Sequence, residues 1–461
     1  MSTSQNLIQK SAELITILII ILAGIITVAL FKEVNGTTFL NLDEMLWMQR
    51  ADIFKDHILD GNFSGLIQSS QPGIMAMWIT GPMMHLVDFF DFKVISKMIA
   101  YKETQGLDFN SVVNANNPVI YNQFKEISFL FNIPFLAIIF SALLMGYCLL
   151  KKLGFNKNIS LIALTFIVTT PWYMYFTTPS DKGLMIFASL SLLFLMVYGN
   201  EQKYLTPLKG VGRLRLFLII SAILAAWAVL SKLTALFFVF LVPFILLFYI
   251  WPLSKTKIKL LFKDYLIWTI TFFITSIIFL PTIISNPQEV IDFLIHPAPM
   301  ILENNYQPVS YFSRIEEYFK EFIMIIPGYM SPAPTIFFGI FAAIALAPAR
   351  LVKTARKIPL TAFREGKGRR KRERKHLVVL TVYLIFFTLM TIFFSYNHDI
   401  RFLAPAFIIM DILAAAGVYW LVEMLRKKFN FKENIYLLVI FLLIITQMIY
   451  IVGNGAAFNQ N

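Results

Sequence analysis

Long apolar runs separated by short charged stretches set the pattern of this chain. The runs at 15–31, 127–150, 265–284 and 435–452 each come near the roughly 20 residues that carry a helix across a 30 Å hydrocarbon core. Two others are too long for one crossing. The stretch 159–198 is apolar over about 40 residues, roughly 60 Å at helical rise and twice the core thickness, so it must turn. Its polar break is Thr177-Thr178-Pro179-Ser180-Asp181-Lys182. The stretch 214–251 must turn as well, at Ser231-Lys232. The period-two alternation of a β-barrel is absent. The expected fold class is all-α and integral to a membrane, with about 11 transmembrane helices. The first run is long for a signal sequence and no small-residue cleavage site follows it, so it reads as a retained first helix.

Charge orients these helices. Lys151, Lys152 and Lys157 follow one run, and Lys203, Lys209, Arg213 and Arg215 follow the next pair. Lys255, Lys257, Lys259 and Lys263, the basic segment Arg364 to Lys375, and Arg426, Lys427, Lys428 and Lys432 complete a set that the positive-inside tendency assigns to the cytoplasm. Residues 285–330 carry Glu289, Asp292, Glu303, Glu316, Glu317 and Glu321 and belong outside. The N-terminus then lies inside and the C-terminus outside. The chain reads as a single polytopic unit, 1–461, with a first outer loop at 32–126, a second at 285–330 and a basic cytoplasmic loop at 350–376.

Composition agrees. Hydrophobic residues make up 58% and charged ones 15%, against about 45–50% and 25% in soluble proteins. The net charge of +13 is explained by the inside loops, with no need for a nucleic-acid partner. Membrane lipids are the expected surroundings, and anionic headgroups suit the basic loop. With one cysteine, Cys148, no disulfide forms within the chain.

Within the first outer loop, Asn41 to Asp60 reads as a helix, with Asn41 as cap and Glu44 in a capping-box position. Asp43, Trp47, Arg50, Phe54 and His57 then fall on one face. After Pro72, an apolar stretch to Val87 is expected to break at Gly81-Pro82 and to lie in the interface.

This topology places Asp43-Glu44, Asp181-Lys182, Lys232 and His398-Asp399-Arg401 on the outer side together. Charges at the ends of apolar helices have a partner or a purpose. Transfer of a group from a phosphate-linked lipid needs such a set: cations to hold the phosphate and stabilise the leaving charge, and a carboxylate to take the acceptor proton. Lys232, Arg401 and His398 suit the phosphate. Asp43 suits the base, with Glu44 beside it. Asp181 can orient the acceptor or sugar, or support a divalent metal, for which the acids and histidines make a weak case. Arg50, His57 and Gln71 are candidates for contacts to acceptor or sugar. Each has a plainer use: the acids complement a helix N-terminus, Lys232 can snorkel, and the histidines suit an interface.

In layout, most of the chain resembles the GT-C class of polytopic glycosyltransferases, and within it the protein O-mannosyltransferase and aminoarabinose transferase branch. The points of resemblance are Leu42-Asp43-Glu44 after the first helix, Asp181 after the third, Leu230-Ser231-Lys232 between the fifth and sixth, and Arg401-Phe402-Leu403-Ala404-Pro405 at the tenth. The last is similar to the family's Arg-Tyr-Leu-x-Pro, with Phe402 in place of Tyr. Gln71-Pro72-Gly73 stands where many relatives carry His-Pro-Pro. The resemblance implies inverting transfer of a sugar from a polyprenyl- or dolichyl-phosphate donor to a protein, lipid or glycan at the outer face of the cell membrane. Asp43 would then be the base, and no cofactor is certain. A lipid or polysaccharide transporter or flippase is the competing class. Such proteins commonly carry internal repeats and midplane helix breaks, whereas this chain shows no duplication and keeps its polar residues at helix ends.

Overall fold

The computed structural model describes residues 3–34, 42–67, 73–88, 118–170, 179–202, 211–295, 332–346, 367–394 and 403–458. These are helical throughout, with no strand among the described residues. In chain order the helices are α1 (Thr3–Val34), α2 (Leu42–Leu59), α3 (Ile74–Asp88), α4 (Pro118–Leu153), α5 (Lys157–Thr169), α6 (Pro179–Gln202), α7 (Val211–Ser231) and α8 (Leu236–Ile250). They continue with α9 (Lys255–Phe279), α10 (Thr282–Ser285), α11 (Pro287–Ile295), α12 (Pro332–Leu346), α13 (Lys367–Phe394), α14 (Ala404–Phe429) and α15 (Ile435–Phe458). Among the described residues, six segments are long and apolar enough to cross a membrane: Pro134–Leu153, Asp181–Glu201, Leu233–Ile250, Lys255–Phe279, Glu373–Thr391 and Pro405–Phe429. Five shorter apolar stretches among the described residues, in α1, α5, α7, α12 and α15, pack among them.

Side-chain contacts establish the relative directions. Ser191 Oγ donates to the Ser221 carbonyl at 2.7 Å and Gly183 faces Ser231, so α6 and α7 run antiparallel. Gly146 faces Leu193 and Lys152 pairs with Glu201 at 3.1 Å, which makes α4 parallel to α6. Phe237 meets Phe387 and Tyr249 meets His376, making α8 and α13 antiparallel. Phe337 and Phe341 of α12 pack on Gly417 and Trp420 of α14 in parallel. Two of these four helix pairs are antiparallel and two are parallel.

Small residues let the central helices approach closely. In lipid, apolar burial does not draw helices together, and close van der Waals packing over Gly, Ala and Ser does. α7 buries Ser221, Ala222, Ala225, Ala226 and Ala228, and α14 buries Ala414, Ala415 and Ala416 completely. Accordingly α6 and α14 occupy the middle of the bundle, with 89% of each apolar span buried against 28% for α4 and α9. α9 turns Phe262, Leu266, Phe273 and Ile278 outward, the pattern of a lipid-facing helix.

Local signals account for the element ends. Asn156 caps α5, its Oδ1 accepting from the Asn158 N–H at 2.9 Å, and its Nδ2 donates to Tyr419 Oη at 3.0 Å. Asn430 ends α14 in the left-handed region at φ 55°. Asn286 caps α11, its Oδ1 accepting from the Glu289 N–H at 3.3 Å while its Nδ2 donates to Glu289 Oε2 at 2.9 Å. Burial lifts the Glu289 carboxyl above the usual carboxylate range, and the Asn286 amide opposes that shift.

Three boundaries differ from the sequence expectation. α4 starts at Pro118 rather than near 127, and α9 at Lys255 rather than 265, because backbone hydrogen bonding carries a helix past the end of its apolar run. Residues 367–376, expected to belong to a cytoplasmic loop, form the first turns of α13. α3 continues through Gly81-Pro82 instead of breaking there. It packs against α2, α4, α6 and α7, so neighbours on several sides hold it together.

Candidate functional site

Asp181 and Lys232 form an ion pair with each other, and both are buried, at 0% and 4% exposure. Two chain breaks bring them together. Asp181 occupies the first turn of α6, just after Pro179 starts the helix, where a carboxylate complements the positive end of the helix dipole. α7 stops at Ser231. Lys232 is extended at φ −159°, ψ 132°, and a 3-10 turn, Leu233–Ala235, leads into α8. The reversal leaves the Lys232 side chain among helix ends, and Asp181 supplies the counter-charge. Gly183 lies so close to Ser231 that a β-carbon there would collide with the serine side chain. Removing one member of such a buried pair costs about 3–5 kcal/mol because the other is left unpaired.

The first-loop helices land on this break. The Gly73 N–H donates to the Ser231 carbonyl at 3.1 Å, so the start of α3 is tied to the residue before Lys232. Gly73 has φ +50°, and the Trp47 ring of α2 occupies the space a β-carbon would fill. Trp47 is 3% exposed, and the Arg50 guanidinium lies 4.9 Å from its ring centroid. Farther out, Trp78 Nε1 donates to the Phe279 carbonyl at 2.8 Å and Thr282 Oγ1 donates to the Phe63 carbonyl at 2.5 Å. α2, α3 and the end of α9 thus gather at the Asp181 end of the bundle.

The sequence candidates divide accordingly. Asp181 and Lys232 are in direct contact. Asp43 and Glu44 lie in the first turn of α2, with Asp43 one helical turn before Trp47. Arg50 stacks on Trp47. His57 closes the turn after α2: its Nδ1 meets Asn62 Nδ2 at 3.1 Å and its ring lies against Gly65. Gln71, His398 and Arg401 lie outside the described residues. Asn156, just after the Lys151–Lys152 end of α4, bonds Tyr419 in the second half of α14, so α14 starts, at Ala404, at the end of the bundle where Asp181 lies. Among the described residues, no group of three or more His, Cys, Asp or Glu side chains is placed to hold a metal ion. A small apolar cleft lies between α4, α5, α6 and α14 and reaches Met185, one turn from Asp181.

Other buried polar groups were not among the sequence candidates. At the opposite, lysine-rich end, Glu13 pairs with Lys151 and accepts from Tyr147 Oη at 2.6 Å. Glu423 accepts from Arg426 Nη2 and from Tyr436 Oη, each at 2.7 Å. Asp264, 1% exposed, hydrogen-bonds Tyr198 and lies 4.0 Å from Arg215. An acid, a tyrosine and a cation recur in all three, the composition of an anchor at a membrane interface. Asp411 and His376 are buried completely. The signal for each was a single ionisable residue in or beside an apolar run, which is visible in sequence but has no assignable partner until the helices are packed. No family model matches the chain, and neither a curated protein nor a solved structure matches it.

Proposed function

We propose that the protein is a membrane glycosyltransferase that moves a sugar from a polyprenyl-phosphate donor to an acceptor hydroxyl, with its site on the outer face of the cell membrane. The observation that carries this reading is the buried Asp181–Lys232 pair at the bundle end where α2 and α3 dock. A cation buried among apolar helix ends is suited to a lipid-borne phosphate, and Asp43 and Glu44 fall in the first turn of α2, the helix whose Trp47 packs on Gly73. In this reading the six long and five shorter apolar helices make eleven crossings, with the lysine-rich end in the cytoplasm.

The acceptor oxygen attacks the anomeric carbon from the face opposite the phosphate. The C–O bond to phosphate breaks, and the leaving oxygen keeps the electron pair. Asp43 takes the acceptor proton, and the configuration inverts. Lys232 and Arg401, with His398 beside it, offset the charge that develops on the phosphate. Asp181 and Glu44 act on the polar groups of sugar and acceptor, and Arg50 and Gln71 are the further contacts proposed for them.

The test is Asp43→Asn in membranes supplied with a labelled polyprenyl-phosphate sugar. General-base loss should lower transfer by about 10²–10⁴-fold with expression unchanged. Transfer at the wild-type rate would remove Asp43 from the role of base.

A further inference from the structure

We infer that the apolar cleft between α4, α5, α6 and α14 holds an anionic phospholipid from the leaflet at the lysine-rich end. One acyl chain lies in the cleft and the phosphate meets Lys151 and Lys157. The inference needs only that these helices are embedded in a membrane, and it stands or falls apart from glycosyl transfer. Along α4 the cleft is lined from Ile139 to Leu150, about 16 Å at helical rise and half of a hydrocarbon core. A chain confined to one leaflet fits that length. Leu150 runs directly into Lys151 and Lys152, so the cleft ends at the lysine-rich surface. On its flank α4 turns Leu144 and Met145 outward, toward surrounding lipid.

The charges at this end favour an anion. Tyr147 forms part of the cleft wall, and the Lys151 ammonium lies 5.4 Å from its ring centroid. Lys151 pairs with Glu13, whose carboxylate also accepts from Tyr147 Oη at 2.6 Å, and Lys152 is matched by Glu201. Lys157 acts on the Glu13 carboxylate as well, so two lysines face one acid and one positive charge is in surplus among the three. Lys151 keeps its pairing when lipid binds: its side chain is 41% exposed, and an ammonium has three donors, enough to serve a phosphate oxygen besides Glu13.

Inside the cleft, Ser189 calls for an acceptor. It is 4% exposed, and its Oγ has no hydrogen-bond partner among the described residues, whereas Ser160 in the same wall donates to the Asn156 carbonyl at 3.3 Å. Gly146 faces Leu193 across the parallel helices α4 and α6, which puts Ser189, one turn earlier, about 6 Å deeper than Gly146. The ester carbonyls of a phospholipid lie one glycerol unit below its phosphate, a matching depth. Ser189 donates to one of them, a bond that a purely hydrocarbon tail does not offer.

The experiment uses the full chain in detergent micelles, with native mass spectrometry reading retained lipid. The probes are phosphatidylglycerol, its ether-linked analogue and phosphatidylcholine. Wild type should retain phosphatidylglycerol about fivefold or more over phosphatidylcholine, the effect of one surface cation on an anionic headgroup. Lys151→Gln with Lys157→Gln should remove that preference. Ser189→Ala should weaken the ester lipid about two- to tenfold, the worth of one neutral hydrogen bond, and leave the ether analogue unchanged. Gly146→Leu should abolish retention by filling the cleft; a β-carbon there meets Leu193 at an ordinary 3.9 Å, so the helix has room for it. Equal retention of both headgroups by wild type overturns the inference. Undiminished retention in Gly146→Leu does so too, by placing the lipid on the basic surface alone, as does an equal loss of ester and ether lipid in Ser189→Ala. Retention of a polyprenyl monophosphate in place of phosphatidylglycerol, lost in Gly146→Leu, gives the cleft to another lipid and also overturns it.

Discussion

Gly73 shows how one residue can govern a distant one. Its backbone is in the left-handed region, the Trp47 ring fills the place of its missing side chain, and its N–H holds the Ser231 carbonyl. Gly73→Ala meets both obstacles, a strained φ and a collision with an aromatic ring held by its own packing. It should destabilise the protein by about 1–3 kcal/mol, the range for strained backbone positions. Thermal unfolding in detergent reads this directly, and a melting temperature within a degree of wild type would show that the Trp47–Gly73 contact is dispensable. Lys232 stands out in sequence as a lone cation interrupting an apolar run, but its partner Asp181 is 51 residues away. Sequence distance hides such pairs.

The contact between α6 and α7 depends on side-chain size more than on hydrophobicity. α7 reads Ser221-Ala222-Ile223-Leu224-Ala225-Ala226-Trp227-Ala228, and the serine and alanines are all buried. Ala226→Leu should force the helices apart and cost about 1–3 kcal/mol, the usual penalty for overpacking. The Ser191–Ser221 bond of 2.7 Å and the Asp181–Lys232 pair would shift with it. The measurement is the melting temperature compared with Leu224→Ala, a cavity-forming change at a buried site on the same helix. A variant as stable as wild type would show that α7 has room there. The apolar length of these elements was legible in sequence, and the turns at Asp181 and Lys232 followed from length alone. The ends of α4, α9 and α13 were not, since their helices extend into charged sequence where hydropathy carries no signal.

Across the whole molecule the two ends differ in chemistry. One gathers Asp181, Lys232 and the first-loop helices; the other gathers Lys151, Lys152, Lys257, Lys375 and Arg426. The proposed orientation predicts different access. With Cys148 replaced by alanine, a single cysteine at exposed Asn62 should react with an impermeant maleimide in intact cells. One at exposed Lys152 or Lys255 should react only after the membrane is opened. Labelling of Asn62 and Lys152 from the same side would reject the topology, and with it an outward site.

Sequence by itself determined the class of the fold and the places where the chain must turn, because membrane thickness converts apolar length into crossings. It also put Asp43, Asp181 and Lys232 at helix ends, since charge is excluded from the interior of an apolar run unless it is paired. Only the tertiary structure decided that Asp181 and Lys232 form an ion pair, that His57 serves its own turn, and that Trp47 and Gly73 join the first loop to the break at Ser231. These outcomes depend on which helices are neighbours and at what rotation. Packing of small side chains sets both, and hydropathy reports neither.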